Sequence, residues 1–550
     1  MKKMISFLCV AAMLLSLSAC KKTGGKPTAT TGGATESVTT TGGQSQESVS
    51  LVFSDDGIEA SGAAGCEIDG TKLTIERAGV YTLSGDCADG SVKVKKGTSD
   101  VTLILNGLTL SSVDTAPITC GKSSEVTIKV AADTVNTLSD AAQNNDDKYP
   151  ENENAENAVI KCKDGSNVTL CGEGTLNLIA NGKNGIKSGA ATQEEGDASL
   201  TIRDLSLDIT AEVNDAINAE NALTIESGTL TILAADDAIH SDLTLTVGAD
   251  GTQGPTITVT DCYEGLEAAN LKIASGDITI HAQDDCLNAA NSDLSGYAFT
   301  LDISGGTLTM DTTDGDGIDS NGTLTISGGT VVVWSANRAD NQPLDADGEI
   351  TITGGLVFAA GGSAGMGIRC SATQPYLIFG GNGGMMGQTP PDFQNGSGEP
   401  SDFQNGNGTP PDFQNGTGTP PEKPNGQQGG AMTPPEKPDG SEAMTPPEKT
   451  DRPSDGQDRP TPPDGQNFGG NDPKMQGNGL TKGTAFAVLD ASGNVVYSGT
   501  ALCDAAYFVF SSPDLVADGS YILQSGEQTV ATATAQLMQS YAILNLLISR

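Results

Sequence analysis

The strongest signal in this chain is a six-residue pattern with an aliphatic residue at its fourth place, recurring between Asn157 and Cys370. Clear copies are Asn214 to Ala219, Asp236 to Ser241, Asp284 to Ala289, Gly315 to Ser320, Asn341 to Ala346 and Gly365 to Cys370; Asn157 to Cys162, Lys183 to Ser188 and Tyr263 to Ala268 complete the series. The fourth places fall at 160, 186, 217, 239, 266, 287, 318, 344 and 368, in steps of 26, 31, 22, 27, 21, 31, 26 and 24 residues. A recurring unit with variable loops is the mark of a repeat architecture.

Between copies lie short, β-branched runs of period two, such as Leu223-Thr224-Ile225, Thr229-Leu230-Thr231-Ile232 and Thr323-Leu324-Thr325-Ile326, broken by Ser-Gly or Gly-Gly. No helical periodicity of useful length interrupts them. A step that holds three short strands and three turns is one rung of a parallel β-helix, so an all-β solenoid is expected. Successive rungs would stack at about 4.8 Å. The fourth place then becomes an internal aliphatic ladder, and the sixth place (Cys162, Ser188, Ala219, Ser241, Ala268, Ala289, Ser320, Ala346, Cys370) an internal ladder of small residues. Polar side chains are left outside.

The flanks differ from the repeats. Residues 1–19 carry Lys2 and Lys3 and then an apolar run ending Leu17-Ser18-Ala19, which reads as a signal peptide; Cys20 follows as the lipidated first residue of an exported, membrane-anchored protein. Residues 20–48 are a Thr/Gly/Ser tether. The folded repeat unit spans 49–380, and Thr115 to Cys120 is a degenerate first copy of the motif. Ser139 to Glu156, rich in Asp, Asn and Glu, reads as a solvated loop thrown out from a rung, with overhang of a binding face as the other reading. Residues 381–480 repeat Asp-Phe-Gln-Asn-Gly around Phe393, Phe403 and Phe413 and then Thr-Pro-Pro-Glu-Lys; such composition cannot bury a core and predicts disorder. Residues 481–550 contain four short strands, at Ala485–Leu489, Val495–Tyr497, Tyr507–Phe510 and Tyr521–Leu523, expected to dock on the C-terminal end of the β-helix as a small β cap.

Charge narrows the partners. The 550-residue chain has 70 acidic against 29 basic residues, a net charge of −41, which argues against nucleic acid or an anionic bilayer as ligand and for cations. Contact with a membrane is expected only through the anchor at Cys20. Only 36% of residues are hydrophobic and 70 are glycine, as many turns require.

The runs Ala78-Gly79-Val80-Tyr81-Thr82-Leu83-Ser84-Gly85, Leu103-Ile104-Leu105-Asn106-Gly107 and Gly315 to Thr330 resemble the clostridial β-helix carbohydrate-binding domain family, exported bacterial proteins similar in fold to pectate lyases. The resemblance covers roughly Val49 to Gly380, and Ala485 to Gln524 is similar to the family's closing segment. It implies a right-handed parallel β-helix, bound calcium, and affinity for plant cell-wall polysaccharide, pectic or cellulosic.

The acids make a parallel case for calcium. Second places carry Asp215, Asp237, Glu264, Asp285 and Asp316, and fifth places Glu267, Asn288, Asp319 and Asp345. Rungs in register would stack like charges, which is unfavourable unless a cation with six to eight oxygen ligands bridges them. Turn preference alone is the bland reading of each single acid. The expected metal ligands are Asp215, Asp237, Glu264, Glu267, Asp285, Asp316, Asp319 and Asp345, with Gly315 to Asp319 the best single site. Thiolate and imidazole metals are disfavoured, since His240 and His281 are the only histidines and no Cys-x-x-Cys exists.

Polysaccharide contacts are expected from Trp334, Tyr263, Asn288 and Arg338, with Trp334 the main stacking platform and Tyr297 a further aromatic. The favoured reading is non-catalytic binding by a monomer. A lyase, which would need a base such as Arg203, Arg338 or Arg369, or a hydrolase, which would need two carboxylates at a defined separation, and a structural adhesin or envelope protein are the alternatives. Nine cysteines beyond Cys20 preclude complete pairing within one chain; Cys66 with Cys87 is the one candidate disulfide.

Overall fold

A computed structural model describes residues 48–62, 65–336, 341–362, 370–380 and 479–537. The expected lipidation site Cys20, the residues Arg338 and Arg369, the spaced Phe393, Phe403 and Phe413, and nearly all of the 381–480 insert lie outside the described residues. Every described element is a strand.

The chain winds through three parallel sheets. Sheet one stacks the recurring six-residue units: Ser91–Val94, Ile118–Cys120, Ala158–Cys162, Asn184–Ser188, Ile217–Ala219, the starts of Ile239–Val247 and Leu266–Ile273, Leu287–Ala289 and Ile318–Ser320. Sheet two runs through Glu125–Val130, Asn167–Gly172, Ser199–Arg203 and Ala222–Ile225 to Thr323–Ile326 and Ile350–Ile352. Sheet three runs through Val135–Asp140, Thr175–Ala180 and Ser206–Ala211 to Thr330–Trp334 and Leu356–Gly361. This is the parallel β-helix that the repeat predicts.

The fourth-place residues form one buried file. Ile118, Ile160, Ile186, Ile217, Ile239, Leu266, Leu287 and Ile318 pair in register from rung to rung, each with 0% of its surface exposed. Leu344 extends the core, and the Asp345 amide donates to the Ile318 carbonyl at 2.8 Å. Period two does the rest: on sheet two, Leu200, Leu223, Leu245, Leu271, Leu301 and Leu324 form a second inner file. A buried aliphatic side chain of this size contributes roughly 1.5 to 3 kcal/mol, and such files supply most of the cohesion between rungs.

The small sixth-place ladder runs from Cys120 through Cys162, Ser188, Ala219 and Ser241 to Ala268, and from Ala289 to Ser320. Cys370 does not belong to it. Its backbone pairs with Ile350 on sheet two instead. The candidate Cys66–Cys87 disulfide is also absent: both are free thiols, Cys66 lying opposite Ile75 in the hairpin of Cys66–Asp69 with Lys72–Ile75, while Cys87 is buried near Gly90.

The C-terminal segment docks on the last rungs, but its strands separate into two groups. Tyr507–Ser511 leaves the other strands and inserts antiparallel between Leu356–Gly361 and Tyr376–Phe379, closing the edge of sheet three. It is buried on both faces, with Tyr507 and Val509 in the β-helix core and Phe508 and Phe510 in a second, aromatic core. The remaining strands, Val495–Thr500, Ala485–Asp490 and Ser520–Ser525, are joined by Gln528–Thr534 in a four-stranded antiparallel sheet. That sheet packs over the outward side chains Trp334, Phe358, Leu377 and Phe379 of the last rungs.

Candidate functional site: one outward file on sheet one

Alternation along sheet one puts the fourth and sixth places inside and the fifth place outside. The outward file therefore reads Lys93, Thr119, Lys161, Lys187, Asn218, His240, Glu267, Asn288 and Asp319, each paired in register with the next. Asp345 continues it one rung further. The acids of the second place stand beside this file at the turn into each strand.

The second-place carboxylates have a structural task. Asp215 Oδ1 accepts the Asp237 amide at 3.3 Å, Asp285 Oδ1 accepts the Asp316 amide at 2.7 Å, and Asp316 Oδ1 accepts the Gln342 amide at 2.5 Å. Each such bond ties one rung to the next, and its acceptor carboxylate keeps a second oxygen for another partner.

Two kinds of arrangement occupy the column. Around the middle, His240 Nδ1 lies 3.1 Å from Asp237 Oδ2 and 2.6 Å from Glu267 Oε2, with Nε2 2.9 Å from Asp242 Oδ1. Burial disfavours its charge, but the hydrogen bonds to Asp237, Asp242 and Glu267 outweigh that and hold the imidazole well above its ordinary pKa of 6.5. His240 is thus an internal cation for this rung. The sequence reading set the histidines aside, although His240 occupies the same fifth place as the acids.

At the far end, among the described residues, no such cation stands beside the acids. Carboxylate oxygens of Asp316, Asp319 and Asp345 all lie within 4.8 Å of one another. Burial first, then mutual repulsion, pushes Asp316 up to about 7 and Asp319 up to about 6. Asp285 is pushed up to about 8 and Glu264 to about 7 by the same causes. Beside them Asn288, 8% exposed, donates from Nδ2 to Glu264 Oε2 at 3.0 Å, while its buried Oδ1 has no hydrogen-bond partner.

Of the expected metal ligands, Asp316, Asp319 and Asp345 form this all-oxygen group, while Asp215 and Asp237 gather with Asp236, and Asp237 and Glu267 with His240. Glu264 and Asp285 serve Asn288 and the Asp316 amide instead. Hard oxygen donors, with the orphaned buried carbonyl of Asn288 on the adjoining strand, suit calcium.

The expected aromatic platform is overturned. Trp334 is fully buried, its ring centroid 5.6 Å from Phe358, 5.8 Å from Phe486 and 6.4 Å from Phe508, under the C-terminal sheet. Tyr263 remains available: it is 45% exposed at the edge of the acid column, and its hydroxyl, hydrogen-bonded to Asp284, is held up to about 12. Tyr297 is exposed at 39% and its hydroxyl meets the Asn270 amide group at 2.7 Å. Arg203 ends a strand of sheet two, 3.2 Å from Asp204, on a different face from the acids.

The loop before Asn157 is largely solvated, as expected, but it is anchored at two points. Asn144 and Asn145 are buried, Asn145 Nδ2 donating to the Gly182 carbonyl at 2.8 Å and Asn144 Nδ2 to Asp140 and the Ala158 carbonyl. Asp147 pairs with Lys183, so the loop borders the lysine end of the file.

Residues 69–365 match the family described as carbohydrate-binding domain-containing protein. The chain belongs to that family. One relative described in the same words, from Acetivibrio thermocellus, is 31% identical over 183 residues, covering 33% of this chain and 60% of the relative. The family match spans sheet one from its first rungs to Leu344, so the acid column and the lysines opposite it both fall within the carbohydrate-binding domain. A solved structure of a polysaccharide lyase-like protein from C. thermocellum, a gadolinium derivative, overlaps 50% of this chain and 96% of its own at 23% identity, with a TM-score of 0.35.

Proposed function

We propose that this protein binds plant cell-wall polysaccharide, pectic or cellulosic, without cleaving it, and that calcium on sheet one mediates the contact. The observation that carries the reading is the Asp316, Asp319 and Asp345 group, three carboxylates gathered within 4.8 Å beside an unpartnered buried carbonyl of Asn288. Three anions at that separation repel strongly in a partly dry setting. Calcium held by these residues would neutralise them, and it accepts further oxygen ligands such as sugar hydroxyls or carboxylates. A uronate polymer meets a repulsive surface without it.

Tyr263, exposed beside the column, would provide the stacking face that Trp334 does not. The signal peptide and Cys20 would place the β-helix outside the cell on a lipid anchor, with residues 20–48 as the tether. Calorimetric titration of chelator-stripped protein with calcium, followed by pull-down on polygalacturonate and on cellulose with and without chelator, tests the reading. Calcium-dependent retention on either polymer is expected. Equal retention with and without calcium removes the metal from the account, and no retention on any polysaccharide refutes the function.

A further inference from the structure

The same outward file that ends in carboxylates begins with lysines. Lys161 and Lys187 are register partners on adjacent strands, so their side chains leave the sheet about 4.8 Å apart. Like charges directly opposite are destabilising. Lys187 has a partner in Glu220 at 3.5 Å. Among the described residues Lys161 has none, and the acids in its field, Glu156 and Glu220, are committed to Lys163 at 2.7 Å and to Lys187.

Among the described residues, five other lysines also lack an ion pair or ring contact: Lys72, Lys93, Lys129, Lys272 and Lys482. All five are exposed, whereas Lys161 is half-buried. An exposed ammonium is satisfied by water; a half-buried one between Thr119 and a second lysine pays desolvation without a counter-charge. Burial first, and then Lys187, lower the Lys161 ammonium from its ordinary range, which a bound anion would reverse. In a chain of net charge −41, two stacked lysines on the face that carries the acid cluster are not a general electrostatic feature. They are local.

We propose that Lys161 and Lys187 form a subsite for the carboxylate of an acidic sugar residue, at the opposite end of the sheet-one file from the Asp316, Asp319 and Asp345 group. Six strand spacings, about 29 Å, separate Lys161 from Asp319. That exceeds the Debye length of ~8 Å at physiological salt, so this distant acid group does not repel an anion at the lysines, while the nearer Glu156 and Glu220 are each paired with a lysine. The ligand class is therefore a uronate-bearing polysaccharide lying along the file, parallel to the solenoid axis. The loop anchored at Asn144, with Asp147 on Lys183, borders this end. The assignment rests on the polysaccharide-binding reading, but its carboxylate subsite does not need calcium.

The test uses the full mature chain with 13C-labelled lysine side chains, titrated with galacturonate in the presence of chelator, and with galactose as the neutral counterpart. Lys161→Gln identifies the Lys161 resonance. Galacturonate, and not galactose, should shift that resonance and raise its titration midpoint. The same response should survive Asp319→Asn, and the double variant Lys161→Gln with Lys187→Gln should weaken oligogalacturonate binding about tenfold or more, as expected for hydrogen bonds to a charged group. An unmoved Lys161 resonance, or unchanged oligogalacturonate affinity in the double variant, overturns the subsite even where calcium-dependent retention on polymer is found. Conversely, a specific Lys161 response with no retention on any polymer leaves the subsite standing and removes the polysaccharide function.

Discussion

Without the proposed calcium, the protein should lose stability as the pH rises from about 5 to about 8. The four carboxyls of the column sit above their ordinary values: Glu264 at about 7 against 4.5, and Asp285, Asp316 and Asp319 at about 8, 7 and 6 against 3.8. Below pH 4 both folded and unfolded chains hold these protons and nothing is lost. As pH rises, the unfolded chain releases them first, while the folded chain keeps them until its own higher values are passed; the unfolded state therefore gains relative to the folded one through the window from about 4 to about 8. His240 acts in the same direction, since its raised value contributes stability that is complete below about 6.5 and fades as its own pKa is crossed. At about 1.4 kcal/mol for each pH unit of displacement, Asp316 alone accounts for roughly 4 kcal/mol. The four acids repel one another, so their costs do not add, and the total is on the order of 4 to 8 kcal/mol. A cooperative unit of about 330 residues has an unfolding entropy near ~0.7 kcal/mol/K, which converts this to a fall in Tm of roughly 6 to 11 °C. Saturating calcium should abolish the fall or reverse its sign, because a cation that binds only the folded state both stabilises it and lowers these values. Thermal unfolding followed by circular dichroism at pH 5, 6, 7 and 8, with chelator and with excess calcium, measures it; Asp319→Asn should shrink the chelator slope. A chelator curve that is flat or rising, or a Tm at pH 8 indifferent to calcium, would refute the reasoning.

Two substitutions separate packing from binding. Trp334→Ala should cost about 3 to 5 kcal/mol in denaturant unfolding, because it empties the aromatic core between sheet three and the C-terminal sheet, while leaving polysaccharide affinity unchanged at temperatures where the protein is folded. Leu266→Ala, in the centre of the fourth-place file between Ile239 and Leu287, should cost about 2 to 5 kcal/mol in the same assay and lower calcium affinity as well, since the rungs that carry Glu267 and Asn288 lose their shared support.

The fold was legible because a solenoid converts sequence period directly into spatial register. Ile217, Ile239, Leu266, Leu287 and Ile318 are spaced unevenly in the chain but identically within each unit, and the unit, not the interval, determines the stacking. Variable loops absorb the difference. The same logic placed Asp319 and Asn288 in one outward file before any coordinates. It fails where contacts are not between neighbouring rungs. Trp334 alternates outward as a strand residue should, but its environment is made by Phe486 and Phe508, more than 150 residues later in the chain, and no local pattern announces that a sheet will settle there. Cys370 fails for a related reason: a six-residue match does not say which sheet its strand joins, and Cys370 pairs with Ile350 on sheet two.

The fifth place also shows how a search for one chemistry hides another. Reading it only for acids found Glu267, Asp319 and Asp345 and passed over Lys161, Lys187 and His240, although all six occupy one geometric position. Taken together they form a line whose charge changes from positive to negative across His240, an imidazolium held by carboxylates on its own and the next rung. A structural role alone would be served by Thr or Asn at every rung, as at Thr119 and Asn218, since outward side chains on a parallel sheet add little to the core. Stacked lysines at one end and stacked carboxylates at the other each raise the free energy of the isolated fold. The two repulsive clusters share one line and lie about 29 Å apart. A single extended ligand that supplies anions to the first and accepts a cation bridge at the second relieves both.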